Sequence, residues 1–187
     1  MRSTLPLFLS AFVISAPVLA TENVPVPAFR SVELSGGGEV VVVPGPTQRV
    51  TILEGSSQFT SMQVLRGGKL RILTCNNNCP HRYRLRIEVQ DPNVPDLAIN
   101  GGGLISVRNG FRPQSQISVA INGGGKIDTL AVDAGTASAA VHGGGELLVR
   151  ARGMLSAAIN GGGVIRYAGN PQISTAIAGG GVVSRIR

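Results

Sequence analysis

An all-β solenoid is the fold class this sequence predicts. Three observations point to it: a glycine triplet repeats at near-constant spacing, aliphatic residues hold the second position on either side of each triplet, and apolar and polar residues alternate along the flanks. The triplets occupy 36–38, 101–103, 123–125, 143–145, 161–163 and 179–181, and the last five begin 22, 20, 18 and 18 residues apart. Coils of about 18–22 residues cannot bury their own apolar side, so neighbouring coils must complete one another's core.

With the triplets superimposed, the second residue before each is Leu34, Ile99, Ile121, Val141, Ile159 and Ile177. The second residue after is Val40, Ile105, Ile127, Leu147, Ile165 and Val183. Two residues further upstream stand Val32, Leu97, Val119, Ala139, Ala157 and Thr175. This is the period of a strand with one face buried, and stacking turns each column into an aliphatic ladder. A coil of this length accommodates two long strands or three short ones.

The alternate positions face outward. Asn100, Asn122, His142 and Asn160 precede their triplets; Ala98, Ala120, Ala140, Ala158 and Ala176 lie two residues earlier, and Ser118, Ser138, Ser156 and Ser174 two earlier again. The resulting face is small, flat and uncharged, and its Ala and Asn/His columns form the candidate interaction surface. Glycine costs roughly 0.5–1 kcal/mol relative to alanine in regular structure, so triplets belong where the backbone demands them, at the corners between strands. A phosphate-cradling loop needs a following helix and usually a lysine, whereas Leu or Val follows three of these triplets and Lys only one, at 126.

In chain order, residues 1–20 read as an export signal: Arg2, an apolar run from Leu5 to Val13, then Val18-Leu19-Ala20 at a cleavage point. Neither cysteine lies at that point, and no later stretch is long and apolar enough to span a membrane as a helix. The protein is therefore expected to be exported, to the periplasm or exterior of a bacterium. Removing the leader takes one of 17 basic residues and none of the 10 acidic ones, which leaves a formal side-chain charge of +6. That surplus suits solubility or an anionic glycan or lipopolysaccharide; export argues against nucleic acid.

Residues 21–28 form an extended lead-in, and 29–187 a single domain: irregular coils over 29–95, regular repeats over 96–187. The first and second triplets begin 65 residues apart, about three coils. Strands are expected at Arg49 to Leu53, Lys69 to Thr74 and Arg82 to Val89. Pairing of the last two as a hairpin would gather Lys69, Arg71, Arg82, Arg84 and Arg86 into one candidate anion-binding patch. Cys75 and Cys79 sit between them, and in an oxidising compartment they are expected to form a disulfide. A metal site using His81 lacks a ligand, and a redox motif would space the cysteines differently and open a helix. At the far end, Val182 to Ile186 forms an exposed edge unless Arg185 and Arg187 discourage pairing or another chain covers it.

No cofactor and no catalytic constellation is expected. Beyond residue 95 the carboxylates are Asp96, Asp128, Asp133 and Glu146, spread over different coils, too scattered for a calcium-dependent lyase or a glycosidase pair. The 123–128 segment departs from the calcium-binding nonapeptide at its fourth position. His142 occupies an Asn position and reads as a corner residue.

Phe29 to Leu34, the first glycine turn, Val40 to Val43, Gly67 to Ile72 and the approach Asp96 to Gly101 together resemble the bacterial head GIN domain family, described as adhesin heads. The resemblance spans about residues 30–187 and implies a right-handed single-chain β-helix in an exported protein, with glycine-polar-glycine turns where this chain has triplets. The combined expectation is a non-enzymatic cell-envelope module that binds an envelope protein or a surface glycan, or self-associates as a homo-oligomer, through its flat face. Glycan binding through the basic patch is the alternative.

Overall fold

The computed structural model describes residues 21–76 and 78–186, so the leader expected over 1–20 lies outside the described residues, as does Arg187. Among those residues every element is a strand. The first seven are β1 (Glu22–Val24), β2 (Ser31–Gly36), β3 (Glu39–Pro44), β4 (Arg49–Glu54), β5 (Ser61–Leu65), β6 (Lys69–Leu73) and β7 (Arg86–Asp91). The regular repeats supply β8 (Asp96–Gly101), β9 (Leu104–Val107), β10 (Gln114–Gly123), β11 (Lys126–Asp128), β12 (Ala134–Gly143), β13 (Glu146–Asn160), β14 (Val164–Ala168), β15 (Gln172–Ala178) and β16 (Val182–Arg185).

These strands build two parallel ladders. The first runs β6-β2-β8-β10-β12-β13-β15, and the second β7-β3-β9-β11-β13-β14-β16. Each glycine corner carries the chain from the first ladder to the second, so there are two paired strands per turn of the repeat. β13 serves both ladders without interruption: its Glu146–Arg150 stretch pairs with β14, and its Met154–Asn160 stretch with β15.

The predicted columns stand in register. Leu34, Ile99, Ile121, Val141, Ile159 and Ile177 oppose one another in succession, as do Val40, Ile105, Ile127, Leu147, Ile165 and Val183. All but the last member of each column is buried. Removal of each aliphatic side chain from water contributes about 1.5–3 kcal/mol, so the core is a stack of near-equal increments.

The interval between the first two triplets departs from the expected succession of coils. β2 pairs directly with β8 and β3 with β9, so the first two triplets are spatial neighbours. The intervening chain folds outward instead. β6 and β7 form a layer on the other side of β2 and β3, and antiparallel strands close that end: β5 on β6, and β4 then β1 on β7. The supposed hairpin of residues 69–74 and 82–89 is thereby corrected, because β6 and β7 belong to different ladders. Residues 82–85 precede β7 as irregular chain, with Tyr83 pinned by its hydroxyl to Thr60 Oγ1 at 2.7 Å. The lead-in segment contributes the strand β1.

The corners stack backbone on backbone. At the 143–145 corner, the Gly144 amide donates to the Gly123 carbonyl and the Glu146 amide to the Gly125 carbonyl, both at 3.0 Å. Gly143 has φ 118°, and a Cβ there would stand 2.6 Å from the Gly123 carbonyl oxygen. A Cβ on Gly145 would stand 2.6 Å from Ile121 Cγ2 and 2.8 Å from the Gly125 oxygen. Gly144 has nothing within 4 Å of its would-be Cβ. The triplet is thus two structural glycines around a middle position with no internal constraint, which fits the glycine-polar-glycine turns of the resembled family. Gly143→Ala is expected to lower unfolding free energy by at least about 1–2 kcal/mol, the cost of a left-handed conformation alone. Gly144→Ala is expected to stay within about 0.5 kcal/mol of the parent, as measured by chemical denaturation.

Candidate interaction surface

The outer face of the first ladder carries the columns picked out in the sequence. Ala98, Ala120, Ala140, Ala158 and Ala176 pair in register, and beside them run Asn100, Asn122, His142 and Asn160. Ser118, Ser138, Ser156 and Ser174 form the third row. Adjacent strands lie about 4.8 Å apart, so each row repeats its side chain at that interval, with no charge and little relief. The Asn/His row is exposed, and the Ala row grows more exposed toward the last coils.

A feature absent from the sequence reading is how this face ends. Glu33 continues the Ala row, opposite Ala98 on one side and Arg71 on the other. Its carboxylate accepts from Lys69 Nζ and Arg71 Nε, each at 3.0 Å, and Glu33 itself is buried. Burial works to raise its carboxyl, but the hydrogen bonds and charges of Lys69 and Arg71 outweigh that effect and hold it below the ordinary value of 4.5. A shallow depression of about 220 Å³ lies beside this cluster, lined by Glu33, Lys69, Asp96 and Ala120 among others. Burial raises the Asp96 carboxyl above 3.8, against a backbone hydrogen bond from Ser118.

The expected basic patch is therefore divided. Lys69 and Arg71 are engaged by Glu33 on the first ladder, while Arg86 pairs with Glu39 at 3.5 Å on the second. Arg82 and Arg84 are exposed and make no ion pair among the described residues. Alternation around residue 33 held the missing signal: a carboxylate in an otherwise Ala column marks where cations must gather. Cys75 and Cys79 are joined by the expected disulfide. Among the described residues, no three His, Cys, Asp or Glu side chains cluster as metal ligands, and no helix is long and apolar enough to cross a membrane.

The Glu33 cluster carries a pH signature. A carboxyl lowered in the folded state adds stability above about pH 4.5, and that stability is lost as pH falls through the folded-state value. Because both cations are nearly half exposed, the contribution is about 1 kcal/mol. Glu33→Gln is expected to destabilise by about that amount at pH 7. Denaturation across pH 7 to 3 should show the gap between variant and parent closing on the acid side.

Solved structures resemble this chain at low identity. A putative adhesin from Bacteroides fragilis NCTC 9343 matches over 89% of this chain and 96% of its own, with 16% identity and a TM-score of 0.50. A putative cell adhesion protein from Clostridium sporogenes ATCC 15579 covers 89% of this chain and 98% of its own at 12% identity, with a TM-score of 0.44. No curated protein matches. Residues 114–171, the segment from β10 through the turn after β14, match the model of the family described as putative auto-transporter adhesin, head GIN domain, and the resemblance read from the sequence holds there.

Proposed function

We propose that this chain is a right-handed single-chain β-helix acting as an exported, non-enzymatic cell-envelope module, adhesin-like, which docks a partner on the outer face of its first ladder. The observation that carries the reading is the in-register array of Ser, Ala and Asn. Small side chains at fixed intervals offer a small ligand only shallow depressions, and a rigid flat partner meets them with little side-chain ordering cost. The family description of residues 114–171 and the adhesin names borne by similar structures support the same class. The partner is an envelope protein, a surface glycan or a second copy.

Arginines at Ala120, Ala140 and Ala158 would raise a charged ridge along the middle of the face without touching the core. The triple variant is expected to keep its far-UV circular dichroism and melting temperature and to lose at least about tenfold in cell-surface attachment, one kcal/mol-scale step. Attachment at parental level by the folded variant would refute the flat-face reading.

A second reading, an anionic glycan or lipopolysaccharide held by Lys69, Arg71, Arg82, Arg84 and Arg86, is favoured by the exposure of Arg82 and Arg84 beside the disulfide-closed loop. It requires binding that weakens as salt rises and falls further in R82A/R84A. Glycan-array binding indifferent to both would exclude it.

A further inference from the structure

The last coil carries a second surface, independent of the flat face. Among the described residues, Ile173 and Ile177 are 42% and 46% exposed, yet they continue columns whose preceding members are covered. Leu155 and Ile159, opposite Ile173 and Ile177, are 0% and 2% exposed. Among the described residues, β15 is therefore an open strand whose inward side lacks the layer that every earlier coil receives. The other end of the stack is closed by antiparallel strands, with Val24, Met62 and Val64 partly buried against the core.

Edge strands are ordinarily protected by charge, proline or a bulge, and β15 has none of these: Gln172-Ile173-Ser174-Thr175-Ala176-Ile177-Ala178 is uncharged over its whole length. Its residue types are also symmetric about Thr175. Antiparallel pairing with its own copy sets Ile173 against Ile177, Ser174 against Ala176 and Thr175 against itself, a favourable cross-strand pair. Such pairing keeps the inward side inward in both copies, so the two cores become continuous.

We infer that a second copy of this chain docks on the last coil, β15 pairing antiparallel with β15 about a two-fold axis at Thr175. The symmetry closes on two copies, whereas joining the last coil of one to the capped end of the next would propagate a filament. Charge does not drive the contact, since residues 147–186 contain Arg150, Arg152, Arg166 and Arg185 and no carboxylate. The area is modest. A strand of this length spans roughly 23 Å and facing sheets lie about 10 Å apart, so the coil end offers on the order of 230 Å² of projected area per partner. Stable interfaces bury about 800 Å² per partner, which places this dimer in the concentration-dependent range.

Sedimentation of the purified protein over a wide concentration range, at low and high salt, tests the inference. The expected result is a monomer–dimer equilibrium that salt does not weaken, absent in Ile177→Lys at every concentration while its circular dichroism stays parental. Thr175→Cys should form a covalent dimer on mild oxidation, and Ile173→Cys, which faces Ile177 rather than itself, should not. A protein that remains monomeric throughout, a dimer that survives in folded Ile177→Lys, or no cross-link through Thr175→Cys would overturn it. The A120R/A140R/A158R variant should dimerise normally, which separates this surface from the flat face.

Discussion

The contact on which the rest of the structure depends is peptide on peptide at the glycine corners. Where one corner lies on the next, a carbonyl of the earlier coil occupies the space a side chain would need, and the same carbonyl accepts an amide from the later coil. Glycine at the first and third positions makes this approach possible. Once the corners are fixed at one coil spacing, the register of both ladders follows, because a slip of one residue would turn every aliphatic side chain outward. The aliphatic columns supply the driving force, while the corners decide which residues meet.

A stack of near-identical layers has an energetic problem at its ends. At one end the chain spends the residues between the first two triplets on a cap, folding β4 to β7 outside the first coil and closing with antiparallel strands. At the other, the last described coil presents a bare edge. Between these ends the outer face of the first ladder carries small side chains in register, which leaves it flat. Where the face does take a charge, at Glu33, two cations gather and the repeat stops. The chemistry available for recognition is therefore surface chemistry: a flat uncharged array, exposed arginines near the disulfide, and an open strand.

Much of this was legible in the sequence. The triplets, the paired aliphatic positions and the outward Ser, Ala and Asn columns all follow from the period alone, and each is in register in the structure. Layer order was not legible, because periodicity measures distance along the chain, and a long interval between triplets reads the same whether its coils continue the stack or turn back as a cap. The hairpin assigned to residues 69–89 failed for a related reason: alternation in Arg82 to Val89 shows which side of a strand is buried, not which strand lies beside it. The triplets also concealed a division of labour, since three consecutive glycines look alike until the neighbours of each would-be Cβ are known. The basic cluster looked larger in sequence than in space because Glu33 lies 36 and 38 residues from its partners.

Amide hydrogen exchange followed residue by residue tests the central role of the corners most directly. If backbone contact between corners holds the coils together, the amides of Gly124, Lys126, Gly144 and Glu146, which donate to the preceding corner at 2.9–3.0 Å, should exchange as slowly as those of β10 and β12 beside them. Exchange at those four amides at the rate of exposed loops, with the flanking strands still protected, would contradict the account and leave the strand ladders and the aliphatic columns to hold the layers together.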